Sequence, residues 1–294
     1  MNETVITAAD PGTGLFVQLA GFWRRFRKNR AALVGLVLLL LIFLLAALAP
    51  VVSPYNPYEG NLPQSLQGPS GNHWLGTDHL GRDILSRIFY GARISLRVGL
   101  IAVGISLAAG VMVGAVAGYY GGLVDLGLMR VMDIMMAFPP ILLALALMIL
   151  LGRGIENAMV AIGIVYIPEY ARIVRGSVMS VKENDYVQAA LALGAGDLRV
   201  IFLHVLPNVV APIIIRATMG VSQAILETAG LGFLGLGVQE PFAEWGAMLG
   251  SGRGYFYNAP HVVIFPGLAI TITVMAFNLL GDGLRDALDP RLKQ

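Results

Sequence analysis

The 294-residue chain contains no cysteine, and charged residues make up only 13% of it. The absence of cysteine excludes disulfide bonds, a thiol nucleophile and a metal ion held by thiolates. A net charge of +2 is too small to indicate a nucleic-acid partner. The composition therefore argues against a disulfide-rich secreted protein, a cysteine enzyme and a nucleic-acid-binding protein.

Enzyme signatures are also missing. The sequence has no Gly-x-x-x-x-Gly-Lys-Ser/Thr motif, so it lacks a phosphate-binding loop of that kind for ATP. Gly230, Gly232 and Gly235 have the spacing of a dinucleotide-binding loop, but they follow an apolar helix rather than a strand. The histidines show no i, i+4 pair that would bind a metal on a helix, and no nucleophile lies beside a base. We expect no catalytic residue, metal site or cofactor in this chain.

Apolar sequence, in contrast, is abundant: 56% of the residues are hydrophobic and the mean hydropathy is +0.73. Runs long enough to cross a bilayer lie at about 31–52, 98–119, 126–151, 158–174, 209–226 and 262–280. Because lipid cannot satisfy backbone hydrogen bonds, each run should be a helix. The expected fold is an all-α polytopic membrane protein with six transmembrane helices. The first run is too long for a signal-peptide core, which favours an uncleaved anchor over a cleaved leader.

The distribution of lysine and arginine predicts the orientation of the spans. Basic residues cluster between Arg24 and Arg30, before the first span, and the positive-inside rule places that cluster in the cytoplasm. The predicted layout is a cytoplasmic segment 1–30, a first span 31–52, an external loop 53–97, a core 98–284 and a cytoplasmic tail 285–294. Within the core, the loop 176–207 is expected inside and the loop 230–259 outside. We expect a multi-pass protein of a prokaryotic inner membrane with both termini in the cytoplasm.

Four arginines oppose this orientation, because they lie in the predicted external loop between Arg82 and Arg97. Ile84, Leu85, Ile88 and Phe89 recur there at helical spacing. One interpretation is an amphipathic helix on the membrane surface with its arginines toward the headgroups. The other is an ordinary helix packed on the protein.

Two patterns inside the spans concern packing and transport. Gly110, Gly114 and Gly118 fall four residues apart, which predicts close contact with a neighbouring helix. Pro139-Pro140 should kink the third span. Ionisable side chains in a membrane tend to mark pairs or pathways, and the candidates are Asp133, Glu169, Arg172, Arg216 and Glu227. Of these, Asp133, Arg216 and Glu227 are the candidates for a translocation path. Arg216 is expected to face a cavity or to pair with Asp133 or Glu227, while Glu169 and Arg172 are expected to reach the interface.

A polar stretch between the fourth and fifth spans, residues 185–207, points to a docking function. Its first part should be a helix that Gly194 ends, and Asp197 should cap a second helix over residues 198–204. Pro207 is expected in the first turn of the next span. Apolar residues presented in such a loop indicate a surface for a partner. The candidate docking residues are Gln188, Ala189, Ala190, Gly194, Leu198, Ile201, Phe202, Leu203, Leu206 and Pro207.

At these residues the chain resembles the membrane subunits of binding-protein-dependent ABC importers. Their cytoplasmic loop reads Glu-Ala-Ala, three residues, Gly, nine residues, Ile-x-Leu-Pro. Gln188-Ala189-Ala190, Gly194 and Leu206-Pro207 match this spacing, with Gln188 in place of the glutamate and His204 in place of the isoleucine. Further segments resemble the C-type subunit of the dipeptide, oligopeptide and nickel permeases: Leu75-Gly-Thr-Asp-His-Leu-Gly-Arg-Asp83, Tyr90-Gly-Ala-Arg-Ile-Ser-Leu96, Tyr170-Ala-Arg-Ile-Val-Arg175, His204-Val-Leu-Pro-Asn208, Leu231-Gly-Phe-Leu-Gly-Leu-Gly237 and Phe277-Asn-Leu-Leu-Gly-Asp-Gly-Leu-Arg-Asp-Ala-Leu-Asp-Pro-Arg291.

This resemblance implies the type I fold of ABC importer permeases, with a coupling helix in the cytoplasmic loop. It also implies a heterodimer with a homologous B-type permease, two cytoplasmic ATPase subunits that bind ATP and magnesium, and an external solute-binding protein. The expected substrates are dipeptides or oligopeptides, with nickel or another small solute as the alternative. An ion-coupled secondary transporter is a different class of interpretation. It requires inverted repeats or a ring of polar pore residues, and the sequence shows neither.

Overall fold

The computed structural model describes residues 20–288, which fold into an antiparallel bundle of helices. Each long helix is long and apolar enough to cross a membrane: α1 (Arg30–Val52), α2 (Ile84–Tyr120), the pair α5 (Ile155–Val165) and α6 (Ile167–Lys182), α8 (Val210–Phe233) and α10 (His261–Leu288). A further crossing is divided between α3 (Gly122–Met136) and α4 (Pro140–Leu151). Two shorter helices, α7 (Asp185–Ala192) and α9 (Trp245–Gly252), lie in the connections. The prediction of an all-helical protein with six spans is confirmed.

The division of the third span follows from its two prolines. Helices α3 and α4 meet at an angle of 92°. Pro140 occupies the first position of α4, where no backbone N–H is needed, and it disfavours helical backbone at Pro139. The predicted kink is therefore present, and it is sharp enough to make two half-spans.

Helix α2 begins earlier than predicted, at Ile84 rather than near residue 98. The side chain of Asp83 caps it by accepting a hydrogen bond of 2.8 Å from the backbone N–H of Ser86. No proline interrupts its 37 residues, which extend about 55 Å. Because a hydrocarbon core is about 30 Å thick, α2 projects from the membrane, and the predicted amphipathic helix is its outer extension.

The outer extension of α2 packs on protein. Arg82 is buried and donates to Asp78 at 2.7 Å and to Glu240 at 2.9 Å. Arg87, also buried, donates to the carbonyl oxygen of Pro57 at 2.9 Å. For these two arginines the interpretation that turned them toward headgroups is wrong, because residues 53–83 fold back over the helix as a polar cap. Arg93 and Arg97 remain exposed.

A second outer element is anchored by a buried carboxyl group. Glu244 caps α9 by accepting hydrogen bonds from the backbone N–H groups of Gly246 at 2.9 Å and Ala247 at 2.7 Å. Ser95 on α2 donates to the same side chain at 3.3 Å. Burial raises the pKa of Glu244 above its ordinary value, although these hydrogen bonds act in the opposite direction.

The glycines of α2 pack against α6 as predicted. A Cβ atom at Gly110 would lie 2.4 Å from the Cβ of Tyr170, and one at Gly114 would lie 2.4 Å from the carbonyl oxygen of Ala171. At Gly118 the nearest atom would be the carbonyl oxygen of Arg175, at 2.8 Å. Only glycine permits these approaches, so α2 and α6 form one tightly packed pair.

The two ends of the described chain meet at one end of the bundle. Asn29 donates a hydrogen bond of 2.9 Å from Nδ2 to Oδ2 of Asp286. Tyr120 and Lys182 end their helices at this same side, which we call the inner end after the predicted orientation. Residues 1–19 and 289–294, which contain most of the predicted N-terminal segment and tail, lie outside the described residues. The assignment of the inner end to the cytoplasm stays a prediction.

Candidate coupling and translocation sites

The loop at the inner end begins with α7, which ends at a glycine as predicted. Gly194 has a φ of +82°. The N–H of Gly194 bonds to the carbonyl oxygen of Leu191, and the N–H of Ala195 bonds to that of Ala190. This is a Schellman motif, whose left-handed residue strongly favours glycine. Gln188 and Ala189 are exposed, Ala190 is half-buried, and Gln188 donates from Nε2 to the carbonyl oxygen of Lys182 at 2.9 Å.

The 197–208 segment is helical but differs from the prediction in form. It consists of a turn over Asp197–Arg199, a wide π-helix over Val200–Val205 and a 3₁₀ turn over Leu206–Asn208. Asp197 does not cap this segment, because its carboxylate accepts a hydrogen bond of 2.9 Å from the hydroxyl group of Tyr119. Pro207 lies in the 3₁₀ turn and not in the next span, which begins at Val210. Both local predictions were wrong, since a distant tyrosine and the π-helical turn override them.

The 197–208 segment has an exposed apolar face and a buried one. Leu198, Phe202 and Leu203 are 69%, 62% and 61% exposed. Val200, Ile201 and Val205 are buried against residues at the inner ends of α2 and α6, which are Ala115, Tyr119, Val174 and Val178. Ile201, a candidate docking residue, therefore anchors the segment in this structure. Leu206 is half-buried and Pro207 is exposed.

The ionisable residues of the spans form ion pairs and hydrogen bonds between helices. Arg172 on α6 pairs with Asp133 on α3. Arg216 on α8 pairs with Glu169 on α6. Of the two alternatives predicted for Arg216, the pairing with Asp133 or Glu227 is therefore wrong. Glu227 instead accepts a hydrogen bond of 3.0 Å from the hydroxyl group of Tyr166. The structure thus places the three path candidates in three separate pairs.

A polar stripe on α8 was missed by the sequence analysis. Arg216 donates a hydrogen bond of 3.0 Å to the side chain of Gln223. Arg216, Gln223 and Glu227 are seven and four residues apart, so they share one face of the helix over about 16 Å. That spacing was visible in the sequence, whereas Tyr166, the partner of Glu227, carries no local signal. Tyr119 was missed for the same reason.

Comparison with solved structures identifies the fold. The fold superposes on a chain of the MetNI methionine ABC transporter in an inward-facing conformation, with a TM-score of 0.58 and 19% identity, covering 70% of this chain and 98% of that one. At this identity the likeness shows the fold alone. The predicted fold, that of ABC importer permeases, is confirmed.

Sequence comparison gives the family. Residues 110–294 match the family described as binding-protein-dependent transport system inner membrane component, and residues 18–69 match the N-terminal transmembrane domain of oligopeptide transport permease C. The chain is 48% identical to the dipeptide transport system permease DppC of Alkalihalophilus pseudofirmus, over 99% of this chain and 93% of that protein. It is 46% identical to the glutathione transport system permease GsiD of Pectobacterium atrosepticum, over 92% and 91%. The chain belongs to the inner-membrane components of binding-protein-dependent transport systems, in the branch of C-type permeases.

Proposed function

We propose that this chain is the membrane-spanning permease subunit of an ATP-driven importer of short peptides. Relatives that match nearly the whole chain are named for dipeptide and glutathione transport, and both substrates are short peptides. The observation that carries the coupling mechanism is the exposed face of Leu198, Phe202 and Leu203 on a segment anchored to α2 and α6. A partner that binds this exposed face could transmit movement to α2 and α6, because the opposite face of the segment is packed against them.

The proposed assembly supplies what this chain lacks. Without a phosphate-binding loop of its own, the chain depends on two ATPase subunits that bind ATP and magnesium and dock on the 197–208 segment. A homologous B-type permease completes the channel, and a solute-binding protein delivers the peptide to the outer cap. This arrangement places the 197–208 segment and both termini in the cytoplasm, in agreement with the positive-inside rule.

The contacts of the 197–208 segment indicate which helices would move if a bound partner displaced it. Its buried face packs on α2 and α6 rather than on α8 alone. Close glycine packing joins α2 to α6, so both helices should move together. Helix α6 carries Glu169 and Arg172, which pair with α8 and α3. Movement of α6 would therefore rearrange these pairs and open or close the space between the helices.

The polar stripe on α8 is our candidate for the wall of the translocation path. A short peptide carries an ammonium group and a carboxylate, and the stripe has a cation at Arg216 and an anion at Glu227. Arg216 lies nearer the inner end and Glu227 nearer the outer end, because α8 begins at Val210 on the inner side. In the present conformation both groups are held by other side chains, so a passing peptide would replace Glu169 or Tyr166 as their partner.

The proposal can be tested on the complete transporter in proteoliposomes. We expect Leu203→Asp to insert and assemble with the partner permease, yet to lower ATP-dependent peptide uptake at least about tenfold, as loss of an interface hot spot does. Leu123→Asp is the matched control, since Leu123 is 85% exposed at the inner end but lies outside the 197–208 segment. Uptake that persists without the ATPases and follows an ion gradient would refute the proposal, and so would wild-type uptake by Leu203→Asp.

A further inference from the structure

A groove of about 370 Å³ lies between the outer halves of α1 and α2. Its apolar wall consists of Phe43, Ala46, Ala47, Leu96, Leu100 and Ile101. Two arginines, Arg93 and Arg97, complete the lining. Because α2 runs inward, both arginines lie outward of Leu100 and Ile101, at the outer end of the groove. The outer end of the groove is therefore cationic, and its deeper part, which we call the apolar floor, is lined by Leu100, Ile101 and the apolar residues of α1.

The two guanidinium groups have no carboxylate partner among residues 20–288. Arg93 lies over the ring of Tyr90, 5.9 Å from its centre, and neither arginine forms an ion pair within the described part of the chain. Arg82 and Arg87, on the same stretch of chain, are buried and lie beside Asp78. Arg93 and Arg97 are four residues apart, so their side chains share one face of α2. Both remain available to one anionic group.

The depth of the groove places it in the membrane. Helix α1 has 23 residues and extends about 34 Å, which matches the thickness of a hydrocarbon core. Ala47 lies about 8 Å before the outer end of α1. The apolar floor is thus at the level of lipid chains, and the flexible arginine side chains reach the headgroup level. Guanidinium groups at this level lie beside the phosphate groups of the lipids.

We propose that this groove binds an anionic phospholipid. One acyl chain lies along Ala46, Ala47 and Leu100, and the phosphate lies between Arg93 and Arg97. Guanidinium groups suit this ligand because they donate paired hydrogen bonds to phosphate oxygens. The net negative charge of the lipid balances one of the two cations, which a zwitterionic lipid does not do.

Native mass spectrometry of the complete transporter, delipidated in detergent, tests the proposal. The probes are phosphatidylglycerol and phosphatidylcholine with identical acyl chains. We expect the wild type to bind phosphatidylglycerol about tenfold more tightly, because phosphatidylcholine carries a cationic choline group that the two guanidinium groups repel. The double variant Arg93→Gln with Arg97→Gln should lose this preference. Arg153→Gln with Arg253→Gln, which changes two other exposed arginines on the outer side, should keep it. Equal binding of the two lipids, or an equal loss in both double variants, would overturn the proposal.

A second measurement identifies what covers the groove in the assembled transporter. Because the chain has no cysteine, Leu100→Cys provides a single labelling site in it. A fluorophore at that site should be quenched by phosphatidylglycerol with brominated acyl chains, and more strongly than by brominated phosphatidylcholine. A cross-link from Ala47→Cys to the partner permease, with no quenching at residue 100, would mean that protein occupies the groove and that the proposal is wrong.

Discussion

The hydroxyl group of Tyr119, at the inner end of α2, donates a hydrogen bond of 2.9 Å to Oδ1 of Asp197, the first residue of the 197–208 segment. Tyr119 also contacts α6, since its carbonyl oxygen accepts a hydrogen bond of 2.7 Å from Nζ of Lys182. Tyr119 therefore connects α2, α6 and the candidate docking surface.

Removal of this hydroxyl group should weaken coupling more than stability. We expect Tyr119→Phe to keep the packed ring and to cost about 1 kcal/mol in the free energy of unfolding. Peptide uptake per ATP hydrolysed should fall severalfold, because Asp197 loses its connection to α2. The measurement is the ratio of uptake to hydrolysis in proteoliposomes. Tyr120→Phe is the control, since Tyr120 is 49% exposed, and a ratio that is equal in the two variants would contradict the prediction.

The glycine contact between α2 and α6 predicts opposite effects of the same substitution at two positions. Gly114→Ala should destabilise the protein by about 1 to 3 kcal/mol, because the new methyl group would lie 2.4 Å from the carbonyl oxygen of Ala171. Gly104→Ala, on the same helix with no atom within 4 Å, should stabilise α2 by up to about 1 kcal/mol. Thermal unfolding of the purified transporter checks the sign of each change, and equal shifts at both positions would rule out the packing argument.

The backbone at Gly194 makes a prediction about the loop. Gly194→Ala should cost about 1 kcal/mol and disorder the junction between α7 and the 197–208 segment, because alanine is strained at a φ of +82°. Transport should then decrease although insertion is normal. Gly196→Ala should leave transport unchanged, since Gly196 has a φ of −68°. The test is a peptide transport assay of the two variants. Equal transport by Gly194→Ala and Gly196→Ala would show that the left-handed turn is dispensable.

The buried carboxyl group of Glu244 predicts a pH dependence of stability. Its pKa is raised by burial, so the folded state binds the proton more tightly than the unfolded state does. The stability contributed by this group is present below the ordinary glutamate pKa and is lost as the pH rises through the folded-state value. The difference in Tm between wild type and Glu244→Gln should therefore decrease as the pH rises above the ordinary glutamate pKa. A difference that stays constant as the pH rises would contradict the assignment.

Features encoded by neighbouring residues could be predicted from the sequence. The spacing of Gly110, Gly114 and Gly118 predicted a close helix contact, Pro139-Pro140 predicted the break, and Gly194 predicted the end of α7. Each depends on local steric limits of glycine or proline. The all-helical class was predicted instead from the long apolar runs, and the permease fold from the resemblance to ABC importer permeases. The docking role of the 185–207 loop stays a prediction.

Partners that lie far apart in sequence could not be predicted. Arg216 pairs with Glu169 and not with the two acidic residues considered for it, because the packing of α6 on α8 decides which carboxylate is near. Asp197 had the sequence signature of a cap, yet the hydroxyl group of Tyr119, 78 residues away, takes its side chain. Helical periodicity around Ile84 predicted a helix correctly but contained no information on what covers it.

The length of α2 has a consequence for how events on the two sides of the membrane are coupled. Its outer extension is fastened to the cap through Arg87 and Asp83, and its inner end is fastened to Asp197 through Tyr119. No proline divides the 37 residues between them. In the proposed transporter, a protein that presses on the cap from outside would move the same helix that contacts the candidate docking segment inside. If the proposed assembly is correct, substrate delivery at the cap and ATP hydrolysis at the inner end would both act on α2, with no separate element between them.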